Sequence, residues 1–188
     1  MDHPFIITNK QIKAEADHLL YEKGLYNLLR KYGEPHISGS YDLNLMTWRD
    51  LDIYLQVTEE NENDFFLLGA DINLSLQPIK MHFRNELIAK TPGLPLGLYW
   101  GVYLGNERTG AWKIDIWYMR SVECKRLLEY CAVLKEKVTP EAAVDIMNIK
   151  SQCWSDPQYR KSYTSSDIYQ AVLERGIRTF EDFRKSYQ

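Results

Sequence analysis

The stretch ISGSYDLNLMTWRDLDIYL, residues 37–55, combines two features that folding alone does not explain. A Gly-Ser pair, Gly39 and Ser40, ends a short apolar run. After a spacer of nine residues, Asp50 and Asp52 flank Leu51 in a segment whose pattern predicts a strand. Strands disfavour aspartate, and a buried carboxylate is costly unless it is paired or binds a metal. The stretch therefore indicates a chemical role for the two aspartates.

The two aspartates are expected on one face of the predicted strand, because side chains in a strand alternate between its faces. Leu51, Ile53 and Leu55 would then lie on the other face and join the core. Carboxylates this close repel each other, and the pKa of one rises unless a cation keeps both ionised. Mg²⁺ prefers oxygen ligands such as carboxylates and phosphates. The spacing therefore predicts a magnesium site.

A third carboxylate, Asp115, lies in the strongly β-forming run AWKIDIWYM. If this run pairs with the strand of Asp50 and Asp52, the three carboxylates converge, and Asp115 can act as a general base toward an incoming hydroxyl. A turn at Gly39 can expose backbone N–H groups to a phosphate, and the hydroxyl of Ser40 adds a donor. These groups together are typical of phosphoryl or nucleotidyl transfer by metal-assisted displacement.

The Gly39-Ser40 pair, the nine-residue spacer, the Asp50-Leu51-Asp52 motif and the later Asp115 resemble the motif of the nucleotidyltransferase superfamily, which has a DNA polymerase β-like fold. The resemblance covers roughly residues 30–120. It implies an α+β chain with a minimal mixed α/β sheet flanked by helices. It also implies a nucleoside triphosphate donor, with ATP as the default, two Mg²⁺ ions, and transfer of a nucleoside monophosphate to a hydroxyl.

The resemblance further assigns roles to single residues. The two carboxylates of the Asp-Leu-Asp motif bind both metal ions, and Asp115 binds one of them and activates the acceptor. Gly39 and Ser40 contact the triphosphate. Similar enzymes use a basic residue from their helical part to neutralise the triphosphate, and Lys150 is the candidate here. A lysine on the solvent-exposed surface is the alternative interpretation of Lys150.

The predicted elements divide the chain into a nucleotidyltransferase-like α/β domain, residues 1–120, and a helical segment packed on it, residues 121–188. Thr139 and Thr179 are expected to be helix N-caps, and Gly176 a helix C-cap. In the first part the patterns predict helices over 10–31 and 63–76, strands over 51–57 and within 78–89, and a hairpin over 94–119. In the second part they predict helices over 121–138, 139–154, 165–176 and 179–188.

Composition narrows the class of protein and its setting. The 188 residues carry a formal net charge of −3, which disfavours a general nucleic-acid binder and, more mildly, a large RNA acceptor. The N-terminus lacks the pattern of a signal peptide, and no run approaches the roughly 18 apolar residues of a membrane helix. The three cysteines have no metal-ligand spacing, so buried free thiols in a reducing cytoplasm are expected.

Two rivals to an active enzyme stay open at this point. The size resembles that of small bacterial members of the superfamily, which modify a hydroxyl of an antibiotic-like small molecule or of a protein. The sequence leaves the oligomeric state open, and a homodimer is one of the alternatives. The first rival is a catalytically silent nucleotidyltransferase-fold module of antitoxin type, paired with a helical toxin. The second is a structural α+β protein whose buried acids pair with Lys or Arg, and Lys113 lies on the same strand face as Asp115.

Overall fold

The computed structural model describes residues 3–187. The first two residues of the predicted domain 1–120 and the last residue of the predicted segment 121–188 lie outside that range. Its centre is one mixed sheet in the order β1-β2-β5-β4-β3, in which β2 and β5 are parallel and the other pairs are antiparallel. This sheet confirms the α+β class. The strands are β1 (Glu34–Ser38), β2 (Asp50–Val57), β3 (Lys80–Asn85), β4 (Leu98–Tyr103) and β5 (Lys113–Arg120).

Helices cover the sheet and form the C-terminal part of the chain. Short π-helical and 3₁₀ turns occupy His18–Glu22 and Glu107–Thr109. The first six α-helices are α1 (Pro4–Asp17), α2 (Leu25–Leu29), α3 (Gly39–Asp42), α4 (Glu62–Leu76), α5 (Glu86–Ala89) and α6 (Ser121–Lys137). The last three are α7 (Pro140–Cys153), α8 (Ser165–Leu173) and α9 (Phe180–Lys185).

Three predicted boundaries were wrong, and each has a local cause. The single helix expected over 10–31 begins at Pro4 and is interrupted after its π-helical turn at Gly24, whose φ of 80° is left-handed and ends the regular spiral. The predicted strand within 78–89 ends at Asn85, whose side chain caps α5. The C-cap of α8 is Glu174 rather than Gly176. Thr139 and Thr179 are N-caps, as expected.

Two large hydrophobic cores and one small cluster pack the described residues. In the first, the β2 side chains Leu51, Ile53 and Leu55 pack with helices on one face of the sheet, so the alternation predicted for this strand is confirmed. In the second, α7, α8 and α9 pack around Leu45 and Trp48 from the loop that precedes β2. This loop therefore joins the sheet to the helical part. The division at residue 120 stays a prediction.

The described residues also settle two smaller expectations. All three cysteines are free and buried, as expected. Within residues 3–187, none of the helices has the length and apolar character that crossing a membrane would require.

Candidate active site

The site begins where β1 ends. Ser38 pairs in register with Asp52 on β2, and the next residue, Gly39, has a φ of 59° as α3 begins. A Cβ atom at Gly39 would lie 2.1 Å from Oδ2 of Asp52, closer than any real contact. Position 39 must therefore be glycine, both for its left-handed backbone and because the Asp52 carboxylate occupies the adjacent space. Ser40 follows, buried in α3.

The three aspartates come together because β2 and β5 are parallel neighbours. Asp52 is in register with Asp115, and Asp50 is in register with Lys113. Since residues two apart on a strand share a face, all four side chains project from one side of the sheet. The structure thus brings Asp50, Asp52 and Asp115 to one place, while their catalytic and metal-binding roles stay predictions.

Two basic side chains enter this group of carboxylates. The Nζ atom of Lys113 lies 2.5 Å from Oδ2 of Asp115 and 3.6 Å from Oδ1 of Asp50. Arg160, from the loop between α7 and α8, donates to Oδ2 of Asp50 at 2.8 Å and to Glu107 at 3.0 Å. Asp50 and Asp115 therefore already have cationic partners, whereas no such partner contacts Asp52 within the described residues.

Two neutral side chains complete the surroundings of these acids. The Tyr99 hydroxyl donates to Oδ1 of Asp115 at 2.6 Å. The indole N–H of Trp48 points to Oδ2 of Asp50 at 3.4 Å. Both oxygens of Asp115 are therefore engaged, by Tyr99 and by Lys113, which fixes the orientation of this carboxylate.

The electrostatics differ among the three acids because their partners differ. Burial, with the nearby charges of Asp50 and Asp115, raises the pKa of Asp52 to about 7. Burial also raises the pKa of Asp115, with a further contribution from Asp50, although Lys113 and Tyr99 oppose it. At Asp50, burial is outweighed by Lys113 and Arg160, and the pKa lies below its usual range. The pKa of Asp52 is therefore raised although the charges of Lys113 and Lys150 oppose the shift, because neither lysine pairs with this carboxylate directly.

Magnesium suits the chemistry of this donor set. Three carboxylates on two neighbouring strands supply oxygen ligands. One of these oxygens, Oδ1 of Asp50, is buried without a hydrogen-bond partner, and the ammonium of Lys113 lies 3.6 Å from it. As the side chains stand, no three acidic, imidazole or thiol groups among residues 3–187 are arranged to hold a metal. In this arrangement the Lys113 ammonium lies between Asp50 and Asp115.

Lys150 does not lie on the surface. Its side chain is 1% exposed, and its Nζ donates to the backbone carbonyl of Leu45 at 2.8 Å and to the Tyr169 hydroxyl at 3.3 Å. Burial lowers the pKa of Lys150 to about 8, although Asp50 and Asp52 are near enough to raise it. The interpretation as a surface lysine is therefore wrong. Its role in binding a nucleotide stays a prediction.

Sequence reasoning missed three side chains that contact the acids: Trp48, Tyr99 and Arg160. Arg160 carries no local signal, because it is 110 residues from Asp50 in the chain. Tyr99 is in turn held by Trp117, which is 8% exposed and packs against it with ring centroids 4.8 Å apart.

Comparison with known proteins identifies the fold. No protein-family model matches the chain, and no curated protein matches it in sequence. Its structure is similar to that of a cytoplasmic RNA terminal U-transferase (12% identity, TM-score 0.55, covering 86% of this chain and 46% of that one). It is also similar to two structures of the Cid1 poly(U) polymerase. One contains Mg 3'-dATP (16% identity, TM-score 0.56, covering 87% and 49%), and the other contains MgGTP (12%, 0.58, 87% and 50%).

The chain has the fold of the nucleotidyltransferase superfamily, as the Gly-Ser and Asp-Leu-Asp motifs predict. It spans about half the length of the solved structures that it resembles. Membership in the small bacterial type stays a prediction.

Proposed function

We propose that this protein is a Mg²⁺-dependent nucleotidyltransferase that moves a nucleoside monophosphate from a nucleoside triphosphate to a hydroxyl. The observation that carries the proposal is the contact between Gly39 and the Asp52 carboxylate. It places the turn that suits a phosphate directly beside the acids that suit a metal ion. Asp50 and Asp115 on the same face complete the set.

Each side chain has a defined task in this proposal. Asp50, Asp52 and Asp115 would hold Mg²⁺, which supplies charge neutralisation for the triphosphate. The backbone at Gly39 and the hydroxyl of Ser40 bind phosphate oxygens. The superfamily resemblance implies two ions.

In the transfer itself, Asp115 accepts the proton of the acceptor hydroxyl, and Tyr99 keeps its carboxylate oriented. The acceptor oxygen forms a bond to the α-phosphorus as the bond from that phosphorus to pyrophosphate breaks, and pyrophosphate leaves.

The acceptor and donor stay open within this class. A hydroxyl of an antibiotic-like small molecule or of a protein fits the acidic net charge of −3. The similar structures include an RNA terminal U-transferase and a poly(U) polymerase, so nucleic acid is kept as a third class of acceptor. ATP is the default donor. A cytoplasmic location and a homodimer are further predictions, and light scattering tests the second.

The testing experiment is calorimetric titration with ATP, GTP, CTP and UTP, each with and without Mg²⁺. We expect one triphosphate to bind only with Mg²⁺, and to lose binding in the Asp50→Asn/Asp52→Asn variant. Asp64→Asn, an exposed carboxylate on α4, is the matched control and should bind like the wild type. The identified triphosphate, labelled at its α-phosphate, is then offered to an RNA oligonucleotide, an aminoglycoside, a lincosamide and a protein mixture.

A structural α+β protein whose buried acids pair with Lys or Arg is the second candidate, and a specific observation favours it. Lys113 and Arg160 already pair with Asp50 and Asp115, as expected where buried acids serve the fold. This candidate predicts that none of the four triphosphates binds and that the Asp50→Asn/Asp52→Asn variant is at least as stable as the wild type. A protein that co-purifies with the chain would then be the next object of study.

A further inference from the structure

The ammonium group of Lys113 occupies the space between Asp50 and Asp115. Its Nζ lies 2.5 Å from Asp115 on its own strand and 3.6 Å from Asp50 on the neighbouring strand. The pairing of Asp50 with Lys113 in the β2–β5 register places it there. A cation that joined Asp50 to Asp115 would have to lie at the same point, whereas Asp52, the register partner of Asp115, has no ion-pair partner among the described residues.

Lys113 has little freedom to leave this position. It is 7% exposed, lies on a central strand of the sheet, and donates a hydrogen bond to Asp115. If the Lys113 ammonium moved away and no other cation took its place, two buried carboxylates would lose their neutralising charge, which is strongly unfavourable. Lys113 is therefore a fixed counter-ion rather than a side chain that solvent can draw away.

The charge of the group favours one divalent ion over two. Three aspartates with Lys113 and the buried Lys150, whose charge acts on Asp50 and Asp52, leave a net charge of −1, so a second Mg²⁺ would add to an excess of positive charge. Arg160 does not change this balance, because Glu107 shares its guanidinium. Asp52 is the carboxylate most open to an ion, since it has no ion-pair partner among the described residues, whereas the Oδ1 of Asp50 that has no hydrogen bond lies 3.6 Å from the Lys113 ammonium.

We propose that Lys113 takes the place of one metal ion, so that the site binds one divalent ion on the Asp50–Asp52 side instead of the two that the superfamily resemblance implies, and that Asp115, paired with Lys113, is not among the ligands of this ion. This inference rests on the proposed function, because it assumes that the carboxylates bind a metal ion during the reaction.

The number of bound ions tests the proposal directly. Mn²⁺ is titrated into the protein and free Mn²⁺ is followed by electron paramagnetic resonance, alone and with each of four α,β-methylene nucleoside triphosphates, after subtraction of a nucleotide-only blank. The wild type should bind one ion per chain. Lys113→Arg, which keeps the charge, should bind one, and Lys113→Met should bind two. Lys80→Met, an exposed lysine on edge strand β3, is the matched control and should bind one.

The outcomes separate this proposal from the proposed function. Two ions in the wild type, or one ion in folded Lys113→Met, would overturn the Lys113 proposal and leave metal-dependent transfer standing. No ion in the wild type, with or without nucleotide, would overturn both. Circular dichroism establishes whether Lys113→Met folds. If it does not, the wild type and Lys113→Arg decide, since one ion in each supports the proposal and two ions in either contradict it.

Discussion

Substituting Gly39 by alanine tests the contact on which the proposed site depends. The new Cβ would lie 2.1 Å from Oδ2 of Asp52 and 2.9 Å from its carboxyl carbon, so the carboxylate has to move. The φ of 59° adds backbone strain. We therefore expect Gly39→Ala to lower stability and also to abolish Mg²⁺-dependent triphosphate binding.

The two contributions can be separated by magnitude. A left-handed backbone costs an alanine about 1–2 kcal/mol, and overpacking in a tight site costs about 1–3 kcal/mol more. Gly176→Ala is the matched control, because Gly176 has a φ of 68° with no atom within 4 Å of the added Cβ. It should show the backbone contribution alone. For a chain of this size the excess at Gly39 corresponds to a further fall in Tm of about 2–12 °C.

Denaturant melts of both variants, repeated in an Asp52→Ala background, provide the assay. Removing the carboxylate should relieve the steric part of the Gly39→Ala cost and leave the backbone part, so the two substitutions should be coupled by about 1–3 kcal/mol. Equal costs at Gly39 and Gly176, together with retained triphosphate binding in Gly39→Ala, would refute the reasoning that Asp52 fills the space beside the glycine.

Three further substitutions have expected outcomes. The pKa of Asp52 is raised from 3.8 to about 7, so its contribution to stability is present below pH 4 and is lost as pH rises to 7. Urea melts of Asp52→Asn should therefore show a stability gain over the wild type that grows from pH 4 to pH 7. Lys150→Ala removes a buried, hydrogen-bonded side chain and should cost about 2–5 kcal/mol in the same assay. Arg160→Gln should lower Tm more than Lys161→Gln, because Arg160 pairs with Asp50 and Glu107, while Lys161 is exposed and has no such ion pair among the described residues.

The parts of the site that depend on local geometry could be predicted from the sequence. Alternation along a strand has a period of two, so placing Asp50 and Asp52 opposite Leu51 and Ile53 needed no knowledge of the rest of the fold. The hairpin that carries Asp115 is also local, because β4 and β5 are consecutive in the chain and are joined by residues 104–112, which include Gly105 and Gly110. The sequence alone did not determine whether these two strands are neighbours. The parallel pairing of β2 with β5 makes them so.

The parts that depend on distant packing could not be predicted. Lys150 is three or four residues from Ile146, Met147 and Cys153 and so shares the apolar face of α7, but the groups that bind its ammonium, the Leu45 carbonyl and the Tyr169 hydroxyl, come from distant parts of the chain. Arg160 reaches Asp50 through a loop whose conformation, with a φ of 65° at Arg160 itself, no helix or strand pattern describes. Lys113 was visible beside Asp115, but its closeness to Asp50 depends on the strand register.

The separation of 110 residues between Asp50 and Arg160 has a consequence for how the protein is made. At the usual rates of synthesis, Asp50 emerges on the order of ten seconds before Arg160. During this interval the nascent chain carries Asp50 and Asp52 close together without Lys113 for most of the time and without Arg160 for all of it. Strand β2 can pair with β1 as it emerges, but its other edge stays open until β5 arrives, and the carboxylate site is expected to be among the last regions to become ordered on the ribosome.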